Sequence, residues 1–159
     1  VATLSFEELI NIYQIREVLG GLSCSLAAQN MTSTEIHQLH ILLDEQEKSL
    51  EADQNTFRTN PERVFDFHYQ ILQGNRNPNV LLVLEGGLYQ QIHMYRNQFN
   101  TSGQRPYQAL KEHRHIVDAI EERDAELADF LMRRHIRSAR QCIEDKHQNS
   151  EKKKLAEKV

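Results

Sequence analysis

Hydrophobic residues recur along the chain at steps of three and four, which is the spacing of the buried face of an α-helix. One such series predicts a first helix over about residues 5–29, and it consists of Leu9, Ile12, Leu19, Leu22 and Leu26. The pair Gly20-Gly21 lies inside this helix, although each glycine destabilises a helix by about 1 kcal/mol relative to alanine. We therefore expect a neighbouring helix to pack closely against the chain at this pair.

Start and stop signals divide the rest of the chain into further helices. Thr32 is followed three residues later by Glu35, which predicts a capping box in which each side chain bonds the backbone amide of the other residue. The dipeptides Asn60-Pro61 and Asn77-Pro78 each place a cap before a proline at the first helical position. The predicted helices cover about residues 33–52, 61–73, 78–100, 106–120 and the segment from 125 onward.

Together these elements predict an all-α fold, a single antiparallel bundle of six or seven helices. The sequence contains no internal repeat and no composition shift that would mark a second domain, so residues 1–147 are expected to form the bundle. Residues 148–159, with consecutive lysines at 152–154, are expected to form a frayed and solvated tail.

Composition narrows the class of protein. The chain has 159 residues, with 19 Lys and Arg against 23 Asp and Glu, and a formal charge of −4. This acidic balance argues against broad nucleic-acid binding by this chain alone. The longest aliphatic run, residues 80–84, is too short to cross a bilayer, and two distant cysteines do not form a disulfide framework. We therefore expect a cytoplasmic protein that does not contact a membrane.

Polar residues occupy four positions that the helical pattern assigns to the core, namely Arg16, His68, His113 and His135. A buried arginine needs a carboxylate partner, which can belong to the protein or to a ligand. Three imidazoles on three helices can converge inside a bundle and bind a divalent metal such as Zn or Ni. However, a single histidine on an apolar face is more often a satisfied core residue, and these histidines form no local ligand motif. Spacing alone leaves both interpretations open.

Enzyme motifs are missing from the sequence. It contains no phosphate-binding loop, no Gly-x-Ser-x-Gly elbow and no His-Glu-x-x-His. Asp66 and Glu112 neighbour two of the histidines, but no pair of nucleophile and base can be identified. We therefore expect that the protein is not an enzyme.

Four short segments, in order, resemble the ligand-binding FCD domain of GntR-family transcription regulators, and in particular the FadR-like subgroup. The resemblance extends over about residues 4–143. The matching segments are Tyr13-Gln14-Ile15-Arg16 with Leu26-Ala27-Ala28, Phe67-His68 with Asn77-Pro78, Glu112-His113 with the apolar residues to Ile120, and Asp124 with His135.

This resemblance implies a helical bundle that binds a small carboxylate effector and forms a homodimer. It also implies a separate winged helix-turn-helix domain that binds operator DNA, which would precede Val1 and is absent from this chain. Many family members hold a divalent metal with one Asp and three histidines, and His68, His113 and His135 match those histidines. Val64 occupies the Asp position, so a metal-free pocket is the alternative.

The resemblance also suggests residues that bind the effector. Arg16 matches the arginine of the family's first helix, and a guanidinium can pair with a carboxylate through two hydrogen bonds. Tyr89 and Arg96 lie on the long predicted helix that often lines the pocket, although Arg96 is equally consistent with a surface position.

Three functions are therefore open. The favoured one is an effector-binding and dimerisation domain of a transcription regulator. The second is a purely structural dimerisation bundle, and the third is a three-histidine metal-dependent enzyme in which the metal activates water.

Overall fold

A computed structural model describes residues 5–52, 61–84, 91 and 105–156, with side chains in the second range from residue 67 onward. These residues contain six helices and no strand. The helices are α1 (Phe6–Asn30), α2 (Ser33–Ala52), α3 (Pro61–Gly74), α4 (Pro78–Val83), α5 (Arg105–Glu121) and α6 (Ala125–Ala156). The predicted all-α bundle is thus confirmed.

Side-chain caps set several helix boundaries. In the predicted capping box, the amide of Glu35 donates to Thr32 Oγ1 (3.2 Å) and the amide of Thr32 donates to Glu35 Oε2 (2.8 Å). Asn77 Oδ1 accepts from two amides at the start of α4 (3.0 and 3.3 Å), and Asp124 Oδ1 accepts from the amide of Leu127 (3.0 Å). A cap of this kind stabilises a helix by about 1 kcal/mol.

Two predicted segments reach beyond the described residues. The helix expected over residues 78–100 is described as α4 in its first part, while its remainder, including Tyr89 and Arg96, lies almost entirely outside the described residues. The cap at Asn60 also lies outside them. At the other end of the chain α6 continues to Ala156 with residues 148–156 exposed, and the fraying of this tail stays a prediction.

The two longest helices, α1 and α6, pack antiparallel along their length. Near one end the ring of Phe6 stacks on that of His147, with centroids 3.8 Å apart. At the middle, a Cβ atom built on Gly20 would lie only 2.6 Å from Cδ1 of Ile136. The absence of a side chain at Gly20 therefore lets the helices approach closely, which confirms the contact predicted from the glycine pair.

Polar contacts at three successive levels join α2 to α5. They are His40 Nε2 with Glu121 Oε2 (3.1 Å), Arg114 Nη2 with Asp44 Oδ1 (3.0 Å) and Glu47 Oε2 (2.6 Å), and the Tyr107 hydroxyl with the Leu50 carbonyl (3.1 Å). Residue numbers rise along α2 as they fall along α5, so the two helices are antiparallel and their register is fixed.

The turn between α5 and α6 is attached to the end of α1. Arg123 adopts a left-handed backbone conformation with φ of 62°. Its Nη1 donates to the carbonyl oxygens of Ala28 (3.0 Å) and Met31 (2.7 Å). These carbonyls lie at the C-terminal end of α1, where the helix dipole favours a positive charge. The Arg123 side chain thereby fixes this turn to α1.

The main core gathers side chains from several helices, among them Tyr13, Leu39, Phe67 and Ile120, each no more than 1% exposed. Cys24 lies in this core, and burial raises the pKa of its thiol, with nearby Asp129 acting in the same direction. A thiol held neutral in this way packs as a small apolar group. None of the described helices combines the length and apolar character needed to cross a bilayer.

Candidate metal centre

Three buried histidines from three helices meet inside the bundle. His68 on α3, His113 on α5 and His135 on α6 are 4%, 0% and 2% exposed. The His113 and His135 ring centroids are 4.5 Å apart, and the His68 ring lies 5.3 Å from each of them. The structure thus brings together all three histidines that sequence analysis selected as metal ligands.

The spacing of the ring nitrogens suits a single metal ion. One nitrogen from each histidine lies within 4.8 Å of the others, and the two Nε2 atoms of His113 and His135 are 3.2 Å apart. Two nitrogens on one tetrahedral zinc are about 3.3 Å apart, because each Zn–N bond is about 2.0–2.1 Å. His113 and His135 therefore already have the required spacing, and a His68 nitrogen within 4.8 Å of both needs to approach by at most about 1.5 Å.

A carboxylate outside the cluster orients one of the imidazoles. Glu112 Oε2 lies 2.6 Å from His135 Nδ1. Glu112 is itself held by Arg105, whose Nη1 donates to both carboxylate oxygens (2.9 Å each) and whose Nη2 donates to the His135 carbonyl (3.3 Å). The carboxylate assigns the ring proton of His135 to Nδ1, so the lone pair of Nε2 faces the other histidines.

The two sides of the cluster differ in character. On the inner side Phe67 stacks on His113, with ring centroids 4.1 Å apart and planes inclined by 22°. On the outer side, Glu112 and His135 form part of the wall of a surface cavity of about 340 Å³. The other residues lining this cavity are Gln108, Lys111, His115, Leu131 and Arg134. The histidines therefore lie between an apolar core and a cavity that opens towards solvent.

Among the described residues, Arg16 is a buried cation that lies at a similar height along the bundle axis to this cluster. It is 3% exposed, its Nε has no hydrogen-bond partner among the described residues, and its guanidinium carbon lies 5.6 Å from the centroid of the Tyr13 ring. Glu17, the next residue, bonds Arg137 on α6 (Nε–Oε1 3.1 Å). Because Arg137 is two residues from His135, Arg16 lies within about one helical turn of the level of the histidines.

Other predicted site residues fall outside what the structure describes. Tyr89 and Arg96 are among the undescribed residues, and so are the side chains of Val64 and Asp66. Their roles stay predictions. The sequence does not single out Arg105, which directly precedes the helix predicted from residue 106. Arg105 precedes Glu112 by seven residues, or two helical turns, and that spacing is a signal that both side chains lie on one face.

Three interior histidines on separate helices of an all-helical bundle form an arrangement that can hold a metal ion or a ligand. The sequence matches the FCD domain family over residues 11–138, so the chain belongs to that family. This finding confirms the resemblance noted from the sequence motifs.

Two of the solved structures with a similar fold are bacterial proteins. The Streptococcus agalactiae protein GntR is 21% identical to this chain with a TM-score of 0.69, over 87% of this chain and 61% of that one. The Escherichia coli protein McbR/YncC is 16% identical with a TM-score of 0.72, over 92% of this chain and 72% of that one. This chain thus spans less than two thirds of the streptococcal protein. Comparison with curated protein sequences gave no match.

Proposed function

We propose that this chain is the effector-binding and dimerisation domain of a bacterial GntR-family regulator of the FadR subgroup, and that it senses a small carboxylate. The observation that carries the proposal is the meeting of His68, His113 and His135 inside a bundle of the FCD family, one turn or less from the level of buried Arg16. Operator DNA would be contacted by a separate winged helix-turn-helix domain rather than by this acidic bundle.

In this proposal the three histidines hold a divalent metal, Zn or Ni. Neutral imidazole nitrogens suit either ion, and the Glu112–His135 hydrogen bond matches the outer carboxylate that commonly supports a metal-binding histidine. A bound metal supplies a positive charge and an open position for an oxygen ligand. The protein's own contribution is to orient the imidazoles and to exclude bulk water on the Phe67 side.

Arg16 supplies the second positive charge for the effector. A guanidinium without a carboxylate partner is unfavourable in a protein interior, and an acid that enters the bundle provides that partner. An acid that binds one arrangement of the helices more tightly than another shifts the population towards it. In a full-length regulator that shift would change the position of the attached DNA-binding domains.

The proposed assembly is a homodimer. Both α1 and α6 carry exposed apolar side chains: Ile15 (49%) and Val18 (52%) on α1, and Leu127 (39%) and Phe130 (58%) on α6. Exposed apolar residues are typical of surfaces that bind another protein when they form a patch. In this proposal they contribute to the surface on which a second copy packs.

The function is tested by titrating small carboxylates into protein loaded with Zn or Ni, and into chelator-treated protein, while the melting temperature is recorded. A ligand at 100 times its Kd stabilises the folded state by about 2.7 kcal/mol, which raises Tm by roughly 5–10 °C in a domain of this size. We expect that shift with metal and a smaller one without it. The absence of a shift with every acid, with and without metal, would instead favour a structural dimerisation bundle.

The Glu112→Gln variant tests the outer support of the metal centre. An amide can present a donor to His135 Nδ1 and so favour the wrong tautomer, with the proton on Nε2. We expect metal affinity to fall about 10- to 100-fold, measured by competition with a fluorescent chelator. Glu121→Gln is the matched control, because Glu121 lies on the same helix and pairs with His40 at the surface. Equal metal affinities in the two variants would exclude this role for Glu112.

A further inference from the structure

Like Arg16, Gln46 is a buried polar residue with side-chain atoms that lack a hydrogen-bond partner among the described residues, and the proposed function gives it no role. Gln46 lies on α2 and is 3% exposed. It follows Leu43 by three residues and precedes Leu50 by four, and both leucines are buried, so all three share the face of α2 that packs inward. Both its Oε1 and its Nε2 are buried without a hydrogen-bond partner among the described residues. Such an amide is rare in a protein interior, because buried polar atoms are almost always paired.

The register of α2 against α5 places Gln46 at the level of His113 along the bundle. Arg114 bonds Asp44, two residues before Gln46, and Glu47, the residue after it. Arg114 directly follows His113, so Gln46 and His113 lie at the same level of two adjacent antiparallel helices. Both side chains are buried, whereas Arg114 and its two partners lie on the surface side of the same contact.

Arg16 and Gln46 therefore lie near the level of the histidines on two different helices. Arg16 lies within about a turn of the level of His135, and His135 Nε2 is 3.2 Å from His113 Nε2. Arg16 carries a positive charge, and Gln46 carries a neutral amide with one donor atom and one acceptor atom. A ligand that contacts both side chains would meet both kinds of polar group.

The amide restricts the chemistry of that ligand. A keto group accepts from Nε2 but leaves Oε1 without a donor, and an ammonium group donates to Oε1 but leaves Nε2 without an acceptor. A hydroxyl group can donate to Oε1 and can also accept from Nε2, so among these groups it alone matches both atoms. An unsubstituted acid matches neither.

We propose that Gln46 is a specificity-determining residue of the interior site and that it selects hydroxycarboxylates over keto, amino and unsubstituted acids. This inference rests on the proposed function, because it presupposes that a carboxylate binds beside Arg16. It adds the substituent that the carboxylate carries and the residue that recognises this substituent.

The test compares acids that differ only at the second carbon. Lactate, pyruvate, alanine and propionate form one set, and 2-hydroxyglutarate, 2-oxoglutarate, glutamate and glutarate form a second. Each is titrated calorimetrically into metal-loaded wild type, Gln46→Met and Gln38→Met. Methionine matches the length of glutamine without its polar atoms, and Gln38 is an exposed residue on the same helix.

In wild type we expect the hydroxy acid of at least one set to bind most tightly. Gln46→Met is expected to weaken that hydroxy acid about 10- to 100-fold while it leaves the unsubstituted acid unchanged, because only the hydroxyl loses its partner. Gln38→Met is expected to behave as wild type.

Gln46→Glu is a second variant of the same shape, which keeps acceptors, lacks the donor and adds negative charge. It is expected to weaken every acid.

The outcomes separate this inference from the function on which it rests. Binding of acids without preference for the hydroxyl, or a Gln46→Met variant that weakens all four acids of a set equally, would overturn the role of Gln46 and leave the carboxylate sensor intact. Failure of every acid to bind wild type would overturn the proposed function, and the inference with it.

Discussion

The His113→Ala variant is expected to lose the metal ion that we propose the wild-type protein binds, at close to one ion per protomer. His113 is fully buried, and its Nε2 lies 3.2 Å from that of His135, so its loss removes one of only three imidazoles in the cluster. The effect on metal affinity should exceed the roughly 10- to 100-fold loss typical of an outer supporting residue. Elemental mass spectrometry on tag-free protein purified without chelator measures it directly.

Two further variants make this experiment decisive. His113→Gln keeps most of the side-chain volume against Phe67, so it separates loss of a ligand from loss of packing. His115→Ala removes an exposed histidine from the same helix and should retain the metal. If wild type holds no metal even after incubation with Zn and Ni, the metal is excluded and the histidines become hydrogen-bonding or core residues.

The Arg16→Met variant is expected to lose most affinity for small carboxylates. Hydrogen bonds to a charged group contribute about 1.5–3 kcal/mol, so removal of the guanidinium should weaken binding roughly 10- to 100-fold. The free energy of unfolding of the unliganded variant should equal or exceed that of wild type, because methionine replaces a buried charge. The Nε atom of Arg16 has no hydrogen-bond partner among the described residues, so its removal breaks no such bond. Calorimetric titration and thermal unfolding measure the two effects separately.

The control for Arg16 is Arg137→Met. Arg137 is an arginine of α6 whose side chain is 60% exposed and pairs with Glu17, the neighbour of Arg16. Loss of this surface ion pair should change stability by about 0–1 kcal/mol and leave acid binding unchanged. If Arg16→Met binds acids as wild type does, or if the two variants behave alike, Arg16 is a structural residue and another group binds the carboxylate.

Much of the bundle was predictable because local signals and tertiary packing agree. The capping box at Thr32 depends on residues three apart in sequence. The close contact at Gly20 was predictable because a glycine destabilises a helix, and close packing against a neighbouring helix can offset that cost. The three histidines were identifiable because each interrupts an apolar series on its own helix. In all these cases the deciding interaction is encoded within one helical element.

The remainder depends on neighbours that a single helix does not reveal. Leu22 belongs to the predicted apolar series of α1 but is 37% exposed, while Ser23 is buried and its hydroxyl donates to the Leu19 carbonyl (2.8 Å). The inward face of α1 is set by its neighbours: Asn75, just after α3, donates to the Ser23 hydroxyl (3.2 Å), and Ile136 of α6 lies against Gly20. Gln46 was overlooked for a related reason, because its significance comes from its level relative to His113 on another helix.

The attachment of the α5–α6 turn to α1 by Arg123 has a mechanical consequence. His135 lies twelve residues from Arg123, about 18 Å along α6, and Ala156 lies thirty-three residues from it, about 50 Å. A rigid rotation of α6 about that end that moves His135 by about 1 Å would move Ala156 by nearly 3 Å. Because the ring of His147 stacks on Phe6, such a rotation would also shift the start of α1.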